Sequence, residues 1–171
     1  MQRIDPAFIS DERSMVCEFL DYQRATLILK VEGLSNEQLR RSTSSSSMTL
    51  AGLLKHLALV EDRWFQERFL GRDPIEPWRS APFDSDPDWE WHSSASDDSG
   101  DLISLYEAAC ARSRLALSAA TSLDDESLAL DSCSGTRFSL RWIMLHLIEE
   151  TARHNGHADL LRESIDGSTG E

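Results

Sequence analysis

Two residues one helical turn apart, Glu150 and His154, carry the clearest chemical signal in the sequence. A carboxylate and an imidazole at i, i+4 lie one above the other on a helix and can converge on a single point. The helix that would carry them has an apolar face of Leu140, Ile143, Leu147, Thr151, Ala158, Leu161 and Ile165, at about 100° per residue. His154 falls in the middle of that face and Glu150 on its shoulder, with His146 and His157 further round on the same side. A third ligand has to come from another helix. His56 qualifies, because it flanks Leu53 and Val60 at the edge of a second apolar stripe. His56, Glu150 and His154 make a two-nitrogen, one-oxygen set that suits Zn²⁺ first, with nickel, iron or manganese as alternatives. Three protein ligands leave coordination positions open, as in sites built between the helices of a bundle. Spacing alone also allows His146 with Glu150, or His154 with His157. It equally allows hydrogen-bonded core histidines and a Glu150 paired with an arginine.

Glu61 lies on the apolar side of the same helix as His56, five residues on. Its carboxylate could orient a ligating imidazole through the second ring nitrogen; a salt bridge to an arginine such as Arg24 is the competing expectation. Other signals fail. His146-Leu-Ile-Glu149-Glu150 lacks the final histidine of an HxxEH zinc motif, and Asp84-x-Asp86-x-Asp88 lacks the glycine and the bidentate glutamate of a calcium loop. Cys110 and Cys133 have no neighbouring His or basic cluster in sequence and read as structural thiols. His92 reads as a surface residue, and no phosphate-binding glycine motif or nucleophile elbow is present.

The elements that must position these residues are helical. A first helix is expected from Asp11 to Glu32, with Met15, Phe19, Tyr22, Leu27 and Leu29 as its stripe and Gly33 as its stop. Ser35 to Gln38 reads as a capped turn and Ser42 to Ser47 as a loop. Thr49 caps a second helix to about Leu70, with Leu50, Leu53, Leu54, Leu57, Val60 and Trp64 on one face and Gly71 at its end. Residues 72 to 98 hold Pro74, Pro77, Pro82 and Pro87, which forbid a long helix. They also hold Trp78, Trp89 and Trp91, expected as core plugs or a lid on an ordered crossover. A third helix follows from Ser99 or Gly100 to Ala120, offering Leu102, Leu105, Ala109, Leu115 and Leu117 for burial. Ser122 to Thr136 is turn-rich. Ser139 caps the fourth helix, which ends near Ile165 before Gly167. No β-alternation of useful length is visible, so the expected fold is all-α, a four-helix bundle with one long crossover between its second and third helices.

Composition narrows the function. The 171 residues fit one domain spanning 1–171. A net charge of −13 repels phosphate backbones and anionic membrane surfaces, which counts against nucleic-acid and membrane partners. No apolar run reaches the length of a bilayer span, and the acids of MQRIDPAFISDER interrupt any signal-peptide core. Three scattered cysteines read as reduced thiols, giving a cytoplasmic expectation. Seven of the acids lie between Asp84 and Asp101 with no Lys or Arg among them, so much of the charge belongs to the crossover.

The stretches MTLAGLLKHLALVEDRWF and SLRWIMLHLIEETARHNGHADLLRESIDG resemble the DinB-like four-helix metalloprotein superfamily. The likeness is nearest to its actinobacterial DinB-like subfamily, to which mycothiol-dependent maleylpyruvate isomerase is related. The resemblance implies a divalent metal held by one histidine of the second helix and a pair four residues apart on a later helix. The matching positions are His56, Glu150 and His154. Many relatives carry Gln three residues after the last ligand; His157 stands there in this chain, as a substituted ligand, a donor behind the ligands or a substrate contact. The resemblance further implies a low-molecular-weight thiol, mycothiol or bacillithiol, as cofactor. The expected activity is that of a metal-dependent thiol S-transferase or isomerase acting on a small-molecule substrate, with the crossover as one wall of the pocket. The alternatives are a non-catalytic, stress-linked metal or ligand binder, dimeric through an exposed helix face, and a metal-dependent hydrolase using the same ligands.

Overall fold

Capping residues set the ends of the long helices. In the computed structural model, which describes residues 2–43 and 46–169, Asp11 accepts from the Ser14 backbone N–H to start α1 (Glu12–Val31). Gly33 then takes a left-handed φ of +76° that lets the chain turn. Ser35 and Gln38 form a reciprocal capping box on the single turn α2 (Asn36–Leu39). Thr49 caps α3 (Leu50–Asp62), which runs on without a break into a π-helical turn, Arg63–Phe69. The crossover contains only the short α4 (Trp89–Ser93) and a 3₁₀ turn, Ser94–Ser96. Next come α5 (Ser99–Ala119), the strands β1 (Glu126–Leu130) and β2 (Arg137–Ser139), and α6 (Leu140–Asp166), which ends at left-handed Gly167.

The four long helices form the bundle. α1 packs along α6, α3 along α5, and α3 also meets α6. None of the described helices is long and apolar enough to cross a membrane. The core divides into two apolar clusters. One joins Leu27, Leu50, Leu53, Leu57, Leu102, Tyr106 and Leu161; the other joins Leu20, Phe65, Phe69, Leu117, Leu140, Ile143 and Leu147. Between them every long helix contributes buried polar groups: Arg24 from α1, Glu61 from α3, Ser113 from α5, and Thr151, His154 and Asn155 from α6. The candidate ligands lie in this polar seam.

Four details depart from the sequence expectations. On α1, Phe19 and Leu29 face outward, while Leu20, Arg24, Leu27, Ile28 and Val31 are buried. The inward face is rotated because Arg24 pairs with Glu61 inside the bundle. Leu115 of α5 is exposed, not buried. Trp64 is only half-buried, because the π turn adds a residue to the helical repeat and turns Phe65 and Phe69 inward instead. The turn-rich stretch contains an antiparallel hairpin, β1 with β2. Its only buried strand residue is Ser127, so no apolar alternation announces it.

Candidate metal centre

α3 and α6 bring the three expected ligands together. His154 Nε2 lies 3.2 Å from Glu150 Oε1, and His56 Nε2 lies 3.5 Å from the same oxygen. The two rings sit edge to face, 5.0 Å between centroids. One ligand atom from each residue lies within 4.8 Å of the others, and among the described residues no other group of His, Cys, Asp and Glu is so arranged. His154 is buried, with His56 and Glu150 partly exposed.

Electrostatics put Glu150 and His154 in the protonation states that ligation requires. Burial and the neighbouring His56 hold His154 below its ordinary pKa against the pull of Glu150, so the ring is neutral at pH 7. Burial alone would raise the Glu150 carboxyl, but His154 and His56 outweigh it and keep it below the usual range, hence anionic.

The outer ring nitrogens are also engaged. His56 Nδ1 is 3.0 Å from Oε1 of Glu90, a residue of α4. A carboxylate only accepts; with the proton on Nδ1, toward the nearer Glu90, the ring turns an Nε2 lone pair toward Glu150. His154 Nδ1 faces His157 Nδ1 at 3.4 Å, one of the pair donating to the other. With its Nδ1 protonated, His154 likewise turns an Nε2 lone pair toward Glu150. Two imidazole lone pairs and a carboxylate then face one another with no donor among them. A divalent cation satisfies that set, and the residues fit one.

The remaining sequence candidates fall elsewhere. Glu61 turns away toward Arg24, accepting from Nε and Nη2 at 2.6 Å each, so the arginine pair is the arrangement found. The carboxylate behind the histidine is Glu90 instead. His157 backs His154 and borders a cavity of about 490 Å³ with Met48, Leu160 and Leu161. His146 stacks on Trp142 and meets Trp64 edge-on, outside the cluster. His92 is exposed and bonded to Asp86. Of the crossover tryptophans, Trp78 is a buried plug whose Nε1 donates to Asp62 at 2.8 Å, and Trp91 stacks on His56. A second cavity, about 590 Å³, lies between Trp91 and residues 46–49. The sequence signal for Glu90 and Trp91 was faint: one acid between two tryptophans, Trp89-Glu90-Trp91, inside a run of solvated acids.

Comparison with known proteins bears on the fold and the family. A crystal structure described as the conserved protein of locus from Enterococcus faecalis superposes with a TM-score of 0.73 at 14% identity, covering 94% of this chain and 100% of that one; it shows the fold alone. No curated protein matches the chain. A family model described as Mycothiol-S-transferase matches residues 15–167. That span takes in α3, α5 and α6 whole, most of α1 and all three candidate ligands, and the chain belongs to the mycothiol-S-transferase family.

Proposed function

We propose that this chain catalyses metal-dependent S-transfer from mycothiol, with His56, Glu150 and His154 holding the ion and zinc as the first choice. The convergence of three lone-pair donors on one point between α3 and α6 carries the reading. A divalent ion held there supplies a Lewis acid that favours thiolate over thiol at neutral pH. In the net reaction the S–H bond of mycothiol and the bond from carbon to leaving group in an electrophile are broken. An S–C bond forms and the proton departs with the leaving group. The chain's own part is to keep Glu150 anionic and His154 neutral, and to offer the reactants the cavities that Trp91 and His157 border. The cavity against Trp91 is walled in part by Ser46, Ser47, Thr49 and Ser94, which suits a hydroxyl-rich thiol. The cavity against His157, with Met48, Leu160 and Leu161, suits an apolar electrophile. The three cysteines are free, which supports a reducing cytoplasmic setting.

Elemental analysis of untagged protein, paired with a mycothiol-consumption assay, tests the proposal. One equivalent of metal is expected in the wild type, with both metal and turnover lost in His56→Ala and His154→Ala. Full metal retention in His154→Ala overturns the ligand set. Turnover that survives exhaustive chelation overturns the metal's role. Stoichiometric metal with no turnover on any electrophile leaves a metal-binding module in place of an enzyme.

A further inference from the structure

We propose that Glu90 and Trp91 of the crossover are positioning residues that hold His56 in the one tautomer and ring plane a metal ligand needs. The inference rests on the metal reading above, but concerns groups outside the ligand set.

Glu90 stands apart from the other crossover acids. Asp97 pairs with Lys55 and Asp86 with the exposed His92, whereas Glu90 is only 4% exposed. A carboxylate taken out of water is costly unless paired. Its Oε1 meets His56 Nδ1 at 3.0 Å, while its Oε2 is buried without a hydrogen-bond partner. The interaction with His56 is therefore what this buried group has in exchange for water, and at 3.0 Å it is closer than the 3.5 Å from Nε2 to Glu150, which favours the proton on Nδ1. The same assignment leaves Nε2 free to face Glu150.

Trp91 fixes the second degree of freedom, rotation of the ring. Its indole stacks on the His56 imidazole at 4.7 Å between centroids and 25° between planes. The indole also lies over Gly52, one helical turn before His56. A Cβ at that position would stand 2.5 Å from Trp91 Cε3. A glycine inside a helix costs about 1 kcal/mol relative to alanine, and here its bare Cα is what admits the indole. Ser94 Oγ, donating to the Trp91 carbonyl at 2.7 Å, ties this end of α4 in place.

Long-range ¹H–¹⁵N correlation spectra of the metal-free protein test the inference without relying on activity, because they report which nitrogen of His56 carries the proton. At pH 8 the wild type is expected to show Nδ1–H. Glu90→Ala is expected to move the proton to Nε2, and Glu90→Gln, which keeps an acceptor oxygen, to restore Nδ1–H. In parallel, zinc affinity measured by chelator competition should fall about 10–100-fold in Glu90→Ala and less in Glu90→Gln. It should also fall in Trp91→Ala and recover in Trp91→Phe, which retains a stacking face. An Nε2–H tautomer in the wild type overturns the proposal even if no variant folds. So does a Glu90→Ala protein that keeps Nδ1–H or binds zinc as the wild type does. If the wild type binds no zinc, the metal reading fails, while the tautomer still decides the role of Glu90.

Discussion

Replacing Gly52 by alanine isolates the contribution of the Trp91 stack, because two effects of opposite sign can be estimated in advance. The added Cβ would lie 2.5 Å from Trp91 Cε3, 3.0 Å from Cζ3 and 3.2 Å from Thr49 Oγ1. To restore ordinary van der Waals contact the indole must retreat by about 1 Å, and it can do so because it borders the cavity beside residues 46–49. Helix propensity favours the variant by about 0.5–1 kcal/mol, and overpacking opposes it by roughly 1–3 kcal/mol. Net destabilisation should therefore fall between about zero and about 2.5 kcal/mol, too little to unfold a domain of typical stability. Zinc affinity, by contrast, should drop about tenfold as His56 loses its platform. Urea unfolding of the metal-free protein measures the first quantity and chelator competition the second. A variant stabilised by about 1 kcal/mol with unchanged affinity would refute the reasoning, showing that the indole neither resists the methyl group nor steadies the imidazole.

Two further predictions concern the polar seam. Arg24 and Glu61 are fully buried and joined through two 2.6 Å hydrogen bonds. Glu61→Ala should cost about 3–5 kcal/mol in urea unfolding, whereas replacing both by Met and Leu should cost far less, because no charge is then left unpaired; equal losses in the two proteins would contradict this. Asp21 meets Arg24 and Arg114. Burial pushes its carboxyl up, but the two guanidiniums prevail and hold it below the ordinary value of 3.8. Its folded pKa being depressed, the stability it contributes is present above the unfolded value and vanishes as pH falls through the folded one. Asp21→Asn should be less stable than wild type at pH 7, and the gap should close as pH falls below 3.8 and through the depressed folded value. A gap that stays constant across that range would argue against the assignment.

The ends of the helices were legible because capping is local: Asp11, Thr49 and Ser139 each bond a backbone N–H three residues on, and Gly33 and Gly167 supply the left-handed turn. Glu150 and His154 were legible for a related reason, since two polar residues one turn apart interrupted an otherwise regular apolar face. What escaped the sequence depends on partners distant along the chain. The Arg24–Glu61 pair, 37 residues apart, was one of two expectations for Glu61, but its effect on α1, whose inward face it rotates, has no signature in the sequence. Glu90 reaches His56 across 34 residues from a segment with no periodicity to read. The π turn at Arg63–Phe69 leaves no residue-type signature, yet it shifts the phase of every residue after Asp62 and displaces Trp64 from the expected stripe.

The placement of the cysteines has a consequence for durability. A catalyst that handles electrophiles is exposed to the reagents it consumes, and its own sulfur atoms are the natural victims. Burial pushes the Cys110 thiol well above its ordinary pKa and raises the half-buried Cys17 as well, so both stay protonated and poorly nucleophilic. Cys133, which is exposed, sits in the turn joining β1 to β2 and is not part of the ligand group. An alkyl group captured there would burden a surface loop and leave the metal ligands untouched. The fold thus spares its working parts from self-inflicted inactivation.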